Sequence, residues 1–173
     1  MEQKTNALPT LGFGEAVKKN FNSLTDFKGR SRRSELWWNF LLYFGVTIIL
    51  YALLAAFPMV QSVATTIAQV VILAAVTTRR LHDRGHSGLW VAAAIITGIV
   101  QMIYSSQSGM YEALLSMNAN MNEIMAIATQ PVSIMLSLIS CIVNIVILVF
   151  CLMDGKPEDN KYGASPKYKV EEL

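Results

Sequence analysis

Residues 36–57 read LWWNFLLYFGVTIILYALLAAF, 22 positions without a single Asp, Glu, Lys or Arg. A helix that crosses a bilayer needs about 20 mostly apolar residues, and this stretch supplies them. Working outward, Pro58 follows at once, and residues 59–78 add 20 more uncharged positions. Proline has no backbone N–H and sits best at the first position of a helix. The turn Ala55-Ala56-Phe57-Pro58 is therefore read as the tip of a helical hairpin. Residues 89–111 (23 positions) and 132–153 (22 positions) are likewise uncharged. The fold class that follows is an all-α membrane protein, a bundle of four transmembrane helices.

Composition agrees with this class. The chain has 173 residues, of which 53% are hydrophobic and 15% charged, with a mean hydropathy of +0.42. Soluble domains carry about 25% charged residues. Four spans leave no room for a second folded domain, so residues 1–173 form one membrane domain. It divides into a basic N-terminal segment (1–35), span one (36–57), span two (59–78), a loop (79–88), span three (89–104, with room to extend to 111), an outer segment (105–130), span four (132–153) and a tail (154–173). The first 35 residues are polar and the first apolar run is longer than the h-region of a signal peptide, so that run is expected to be a retained span. Cys141 and Cys151 both fall in span four, about 280° apart around the helix axis. No disulfide framework, metal site or cofactor is expected from them.

Charge sets the orientation. Of the 14 Lys and Arg residues, seven precede span one (Lys4, Lys18, Lys19, Lys28, Arg30, Arg32, Arg33), three lie between spans two and three (Arg79, Arg80, Arg84), and four follow span four (Lys156, Lys161, Lys167, Lys169). Residues 105–130 carry none. Positive loops stay cytoplasmic, so both termini are expected on that side. No nucleic-acid partner is expected.

Three polar clusters converge on this face. Residues 26–38 (DFKGRSRRSELWW) place four cations within six residues, ahead of Trp37 and Trp38, whose rings suit the headgroup level. Glu35 abuts the hydrocarbon and is expected to pair with Arg32 or with an arginine of the next cluster. Residues 79–90 (RRLHDRGHSGLW) put cations at the negative end of span two. Asp83 is spaced to pair with Arg79 or Arg80, and Trp90 anchors span three. His82 and His86 have ligand-like spacing, but Gly85 interrupts the helix such a metal site would need, and a third ligand is missing. Residues 154–167 (DGKPEDNKYGASPK), with two prolines and two glycines, read as a chain of turns. They form either a loose tail or an extended segment across the other two clusters.

Residues 27–38, 79–90 and 160–166 (NKYGASP) resemble the three signatures of the DUF805 family, small bacterial inner-membrane proteins of unassigned function. The resemblance spans nearly the whole chain in order, and the middle motif is the most specific. The tail departs from the family pattern, which is richer in Gly and Pro before the Asn, where Lys156-Pro157-Glu158-Asp159 stand here. The resemblance implies a multi-pass bacterial inner-membrane protein and assigns no catalytic residue.

Two further segments look amphipathic. Phe13, Val17, Phe21 and Leu24 repeat at helical spacing with Lys18 and Lys19 between them, which predicts an N-terminal interfacial helix or a docking helix for a partner. Met110, Leu114, Met117, Met121, Met125 and Ala128 mark one face of an outer helix between spans three and four. Glu112, Asn118, Asn120, Asn122 and Glu123 supply its polar side. The spacing of Met117, Met121 and Met125 matches thioether ligation of Cu(I), but flexible apolar packing is the commoner use of such a stripe.

Several functions compete. The spans hold polar residues (Asn39, Thr47, Gln61, Gln69, Gln101, Ser137, Asn144) but no ionisable group apart from Glu35 at the boundary. Coupled transporters usually place charges there. The stripes Ser133, Ser137, Cys141 and Ala94, Gly98 point to close helix packing, within the bundle or between copies. His82, Asp83 and His86 are the only acid–base candidates for a lipid-headgroup enzyme, and no nucleophile accompanies them. The reading that remains is a non-enzymatic protein whose basic face binds anionic lipid headgroups or a membrane-protein partner through Arg30, Arg32, Arg33, Arg79, Arg80 and Arg84. Glu35, Asp83, His82, Trp37, Trp38, Trp90, Asn160 and Tyr162 form the expected structural network. A small oligomeric channel or transporter and a headgroup enzyme using His82 and Asp83 are the alternatives.

Overall fold

Apolar side chains cover most of the outside of this protein, and buried charge holds one end of it together. A computed structural model describes residues 5–116 and 121–170. In chain order the elements are β1 (Thr5–Ala7), α1 (Phe13–Phe21), α2 (Arg33–Leu53), α3 (Pro58–Asp83), α4 (Leu89–Gln107), α5 (Met110–Leu115), α6 (Met121–Ala128), α7 (Pro131–Leu152) and β2 (Tyr168–Val170). Apart from the short antiparallel pair β1–β2, with Asn6 opposite Lys169, the regular structure is helical. Four helices, α2, α3, α4 and α7, are long and apolar enough to cross a membrane. In the most apolar stretch of each, only 6–22% of residues are buried inside the protein. Ile49, Leu138 and Ile142 point outward, as expected where hydrocarbon is the solvent.

Helix ends follow local chemistry. Pro58 and Pro131 occupy the first turn of α3 and α7. The α2–α3 hairpin turns just before Pro58, where the Leu54 N–H closes on the Leu50 carbonyl (2.9 Å). Gly85 adopts φ +85°, the left-handed region that glycine enters at little cost, and there α3 stops. α3 is the axial helix, packing against α1, α2, α4, α5 and α7, while α4 and α7 pack on each other.

Two sequence expectations change. Uncharged residues stop at Thr78, but α3 continues through Asp83, so Arg79 and Arg80 at its end are followed by His82 and Asp83 in the same helix, and the loop expected over 79–88 begins later. The outer segment is two short helices rather than one, because Ser116 takes extended backbone (ψ 131°) after α5. Met117, Asn118 and Asn120 lie outside the described residues. Met121 and Met125 on α6 are exposed.

The core sits off-centre, toward the end of the bundle where α2 begins and α3 and α7 finish. The largest fully buried side chains are Arg80, Leu81, Glu35, Val76, Asn20, Asn39, Asp83 and Ser31. Most are polar or charged. Two small apolar clusters accompany them, Leu36, Val76 and Cys151 with Leu73 and Ile147 against them, and Ala74, Leu81 and Val91 with Ile95 and Phe150 against them.

Candidate functional site: two carboxylate hubs at the charged end

Each of two buried carboxylates collects two cations. Asp83, in the last turn of α3, accepts from Arg30 Nε at 2.8 Å and from Arg80 Nη1. The Arg30, Arg80 and Asp83 side chains are 1–3% exposed. Glu35, in the first turn of α2 and wholly buried, accepts from Lys19 Nζ at 2.7 Å and Arg79 Nη2 at 3.3 Å. Arg79 therefore serves Glu35, and its neighbour Arg80 serves Asp83. Successive helical residues point about 100° apart, so the two guanidiniums diverge toward different hubs. Of the two partners expected for Glu35, the arginine of the next cluster is the one used, and Arg32 does not pair with it. Arg32 instead donates to the carbonyls of Pro166 and Pro9.

Two cations against one anion leave each hub with surplus donors, and backbone carbonyls absorb them. Arg30 donates to Lys156, Glu158 (2.8 Å) and Gly163 (3.1 Å). Arg80 donates to Cys151 (3.3 Å) and Met153 at the end of α7, where helix carbonyls lack partners and the helix dipole favours a cation. Arg79 donates to Ser23 (2.9 Å) and Asp26. A buried charge is tolerable only when paired and hydrogen-bonded in this way.

The tail is thus an extended strap across the other two clusters. Asn160 Nδ2 donates to the His82 carbonyl at 2.9 Å, and residues 160–163 form a tight turn closed by Asn160 and Gly163, the latter at φ +118°. Tyr162 stacks flat on His82 (3.7 Å between centroids, 2° between planes). His82 Nδ1 donates to the Gly29 carbonyl at 3.1 Å, which fixes the proton on that nitrogen because a carbonyl only accepts. His86 lies in the loop, stacked on Phe150 at 3.8 Å. Burial, and then Arg84 and Lys156, push its pKa below the usual histidine value. The histidines therefore face different partners, and among the described residues no group of three His, Cys, Asp or Glu is placed to hold a metal.

A second clasp lies nearer the surface. Asp154 accepts from Lys167 Nζ (2.7 Å) and pairs with Arg33 (3.3 Å). The hydrogen bond from Lys167 is the main reason its carboxyl is held below the ordinary range, and the same bond raises the Lys167 pKa. Arg84 donates to the Asp154 carbonyl at 2.7 Å. Trp38 Nε1 donates to the Leu11 carbonyl at 2.9 Å, Trp37 meets Phe40 edge-on, and Trp90 meets Phe150 edge-on.

Of the six candidate binding arginines, Arg30, Arg79 and Arg80 are buried and bonded within the protein. Arg32 and Arg84 are half-buried, and Arg33 is the one with an exposed side chain, at 44%. Sequence reasoning missed Asn20, Ser31, Asp154, Lys167 and the role of Lys19. Asn20 donates to Asn39 (3.0 Å) and to the Ile72 carbonyl (2.7 Å), pinning α1 to α2 and α3. Ser31 reaches the Val76 carbonyl at 3.0 Å. Asn39 carried a signal: it lies four residues after Glu35, one turn along the same face, and it does bond the Glu35 carbonyl at 2.8 Å. α1 docks through Ala16 and Asn20, leaving Phe13 and Phe21 exposed.

The family model described as "Protein of unknown function (DUF805)" matches residues 24–164. No curated protein and no solved structure matches the chain. The matched segment holds every member of the Asp83 hub and the tail carbonyls it uses, whereas Lys19 and Asn20 of the Glu35 hub precede it.

Proposed function

The chain belongs to the DUF805 family, and we propose that it is a non-enzymatic multi-pass protein of a bacterial inner membrane whose basic face binds anionic lipid headgroups. The observation that carries this reading is the division of labour among the cations at one end. Arg30, Arg79 and Arg80 are spent inside the protein: Arg30 ties down the strap, Arg80 the end of α7 and Arg79 the segment after α1, which leaves Arg33 exposed near Trp37 and Trp38, residues suited to the headgroup level. Lys18, Lys19, Lys28, Arg33, Lys156 and Lys161 are exposed at the same end. The positive-inside rule puts that end, and both termini, in the cytoplasm. There each basic residue adds about 1 kcal/mol of attraction toward an anionic leaflet.

The headgroup-enzyme alternative is weakened by commitment of its residues. Asp83 is held by two arginines, and His82 is sandwiched between a backbone carbonyl and Tyr162. The test is binding of detergent-released protein to phosphatidylglycerol and to phosphatidylcholine with the same acyl chains. A salt-sensitive preference for phosphatidylglycerol, reduced by Arg33→Gln with Lys28→Gln, is expected. Equal, salt-independent binding of both lipids refutes the reading. Reporter fusions to each terminus check the orientation independently.

A further inference from the structure

A groove of about 320 Å³ runs along one flank of the bundle. Its walls come from all four spanning helices: Trp37, Phe40 and Tyr43 on α2, Thr77 on α3, Ile95 on α4 and Leu148 on α7. It exists because α2 packs on α3 while α7 packs on α4. Among the described residues, α2 and α7 share no extended interface. They approach each other at the charged end, where Leu36 and Cys151 both close on Val76.

We infer that this groove seats one acyl chain of an anionic lipid from the adjoining leaflet, with the lipid phosphate on Arg33. The inference rests on the proposed headgroup reading and gives it a location. Depth is compatible with it: the α2 lining runs from Leu36 to Tyr43, about 10 Å of rise, which stays within one leaflet of the roughly 30 Å hydrocarbon core. A volume of about 320 Å³ is at the small-ligand end of binding cavities, which suits one flexible apolar chain.

The chemistry of the rim completes the argument. Arg33 does not itself line the groove; it lies one turn before Trp37 on α2, at the groove's charged end. It reaches across the helix gap to the Leu152 carbonyl (3.4 Å) and to Asp154 (3.3 Å). Both contacts are long, Asp154 is more closely held by Lys167 at 2.7 Å, and the Arg33 side chain stays 44% exposed. A lipid phosphate finds there a cation whose donors are not used up. Within the groove, Asn144 satisfies itself on the Ser140 carbonyl at 2.8 Å and so makes little demand for a polar ligand.

The test uses the full chain, released in mild detergent, with Trp38→Phe and Trp90→Phe leaving Trp37 as the only indole. Phosphatidylglycerol brominated in its acyl chain is titrated in, with Trp37 quenching and native mass spectrometry as readouts. One lipid per chain is expected to bind and quench Trp37, at a concentration about fivefold below that for phosphatidylcholine. Ala94→Phe, which fills the groove from α4, should abolish both signals. Leu148→Phe serves if that variant does not fold. Arg33→Gln should bring phosphatidylglycerol to the phosphatidylcholine level while quenching at saturation survives. Preferential phosphatidylglycerol binding that ignores the filling variants overturns the groove and leaves the headgroup reading standing. Equal binding of both lipids, abolished by filling, keeps the groove as an acyl-chain site and overturns its anionic headgroup. No saturable one-to-one step overturns the inference outright.

Discussion

Replacing Asp83 by Asn keeps the shape of the central hub and removes its only negative charge. Arg30 and Arg80, both 1% exposed, would then face each other across a neutral amide. At an effective dielectric of about 20 and a charge separation of about 4 Å, each ion pair contributes about 4 kcal/mol of attraction. Part of the lost attraction is recovered because the amide costs less to bury than a carboxylate. The expected net loss is about 3–5 kcal/mol, the range for breaking a buried pair on one side. For a domain of this size that lowers the melting temperature by about 6–20 °C, measurable by thermal unfolding in detergent. Lys19→Gln is the control. Its side chain is 48% exposed, and Arg79 stays on Glu35 when it is removed, so the loss should be well below that of Asp83→Asn. A second readout is specific to the hub. Arg30 holds three carbonyls of the strap, so Asp83→Asn should speed trypsin cleavage after Lys161 and Lys167. A melting shift no larger than that of Lys19→Gln, with unchanged cleavage, would refute the idea that buried charge organises this end of the protein.

Gly155→Ala should destabilise by about 1–3 kcal/mol, the usual cost of overpacking, because a Cβ there would fall on the Asp83 carboxylate, which two arginines prevent from moving; thermal unfolding reads the loss. Gly88→Ala puts its methyl 2.6 Å from Thr78 Cγ2, so Thr78→Ala in the same chain should restore most of the lost melting temperature. Asp154 has a pKa lower in the folded than in the unfolded state, where it is about 4. Its contribution is therefore complete above that value and disappears as pH falls through the folded pKa, and Asp154→Asn should flatten the acid limb of a stability-against-pH curve. Tyr162→Ala removes the ring stacked on His82 and should cost about 0.5–1.5 kcal/mol beyond lost burial, again read as earlier tail cleavage.

The spans were legible because lipid leaves few choices: long uncharged runs must be helices, and Pro58 marks where one ends and the next begins. The clusters around Glu35 and Asp83 were also legible as charge that needed partners. Which arginine served which carboxylate was not. Arg79 and Arg80 both have a local spacing that reaches Asp83, and the choice is made by α1 and α2 lying against the Arg79 side of α3. The end of α3 was misplaced because hydropathy drops at Thr78, while the helix continues for as long as buried partners satisfy its arginines. The strap's grip was hidden for a deeper reason. Its acceptors on Arg30 are backbone carbonyls, which every residue possesses and no side-chain pattern reveals.

Those carbonyls impose an order on assembly. Arg30 is made early, and its acceptors at Lys156, Glu158 and Gly163 come 126, 128 and 133 residues later. At translation speeds of about 5–20 residues per second, the wait is roughly 7–27 s. During that interval the guanidinium must stay in water, because nothing inside the nascent protein can yet complete its shell. The hub therefore closes last, after all four spans have been made. A chain cut short before the strap keeps the Arg30–Asp83 pair but leaves the outer nitrogens of that guanidinium without acceptors where its core should be, a mark of incompleteness that intact molecules hide.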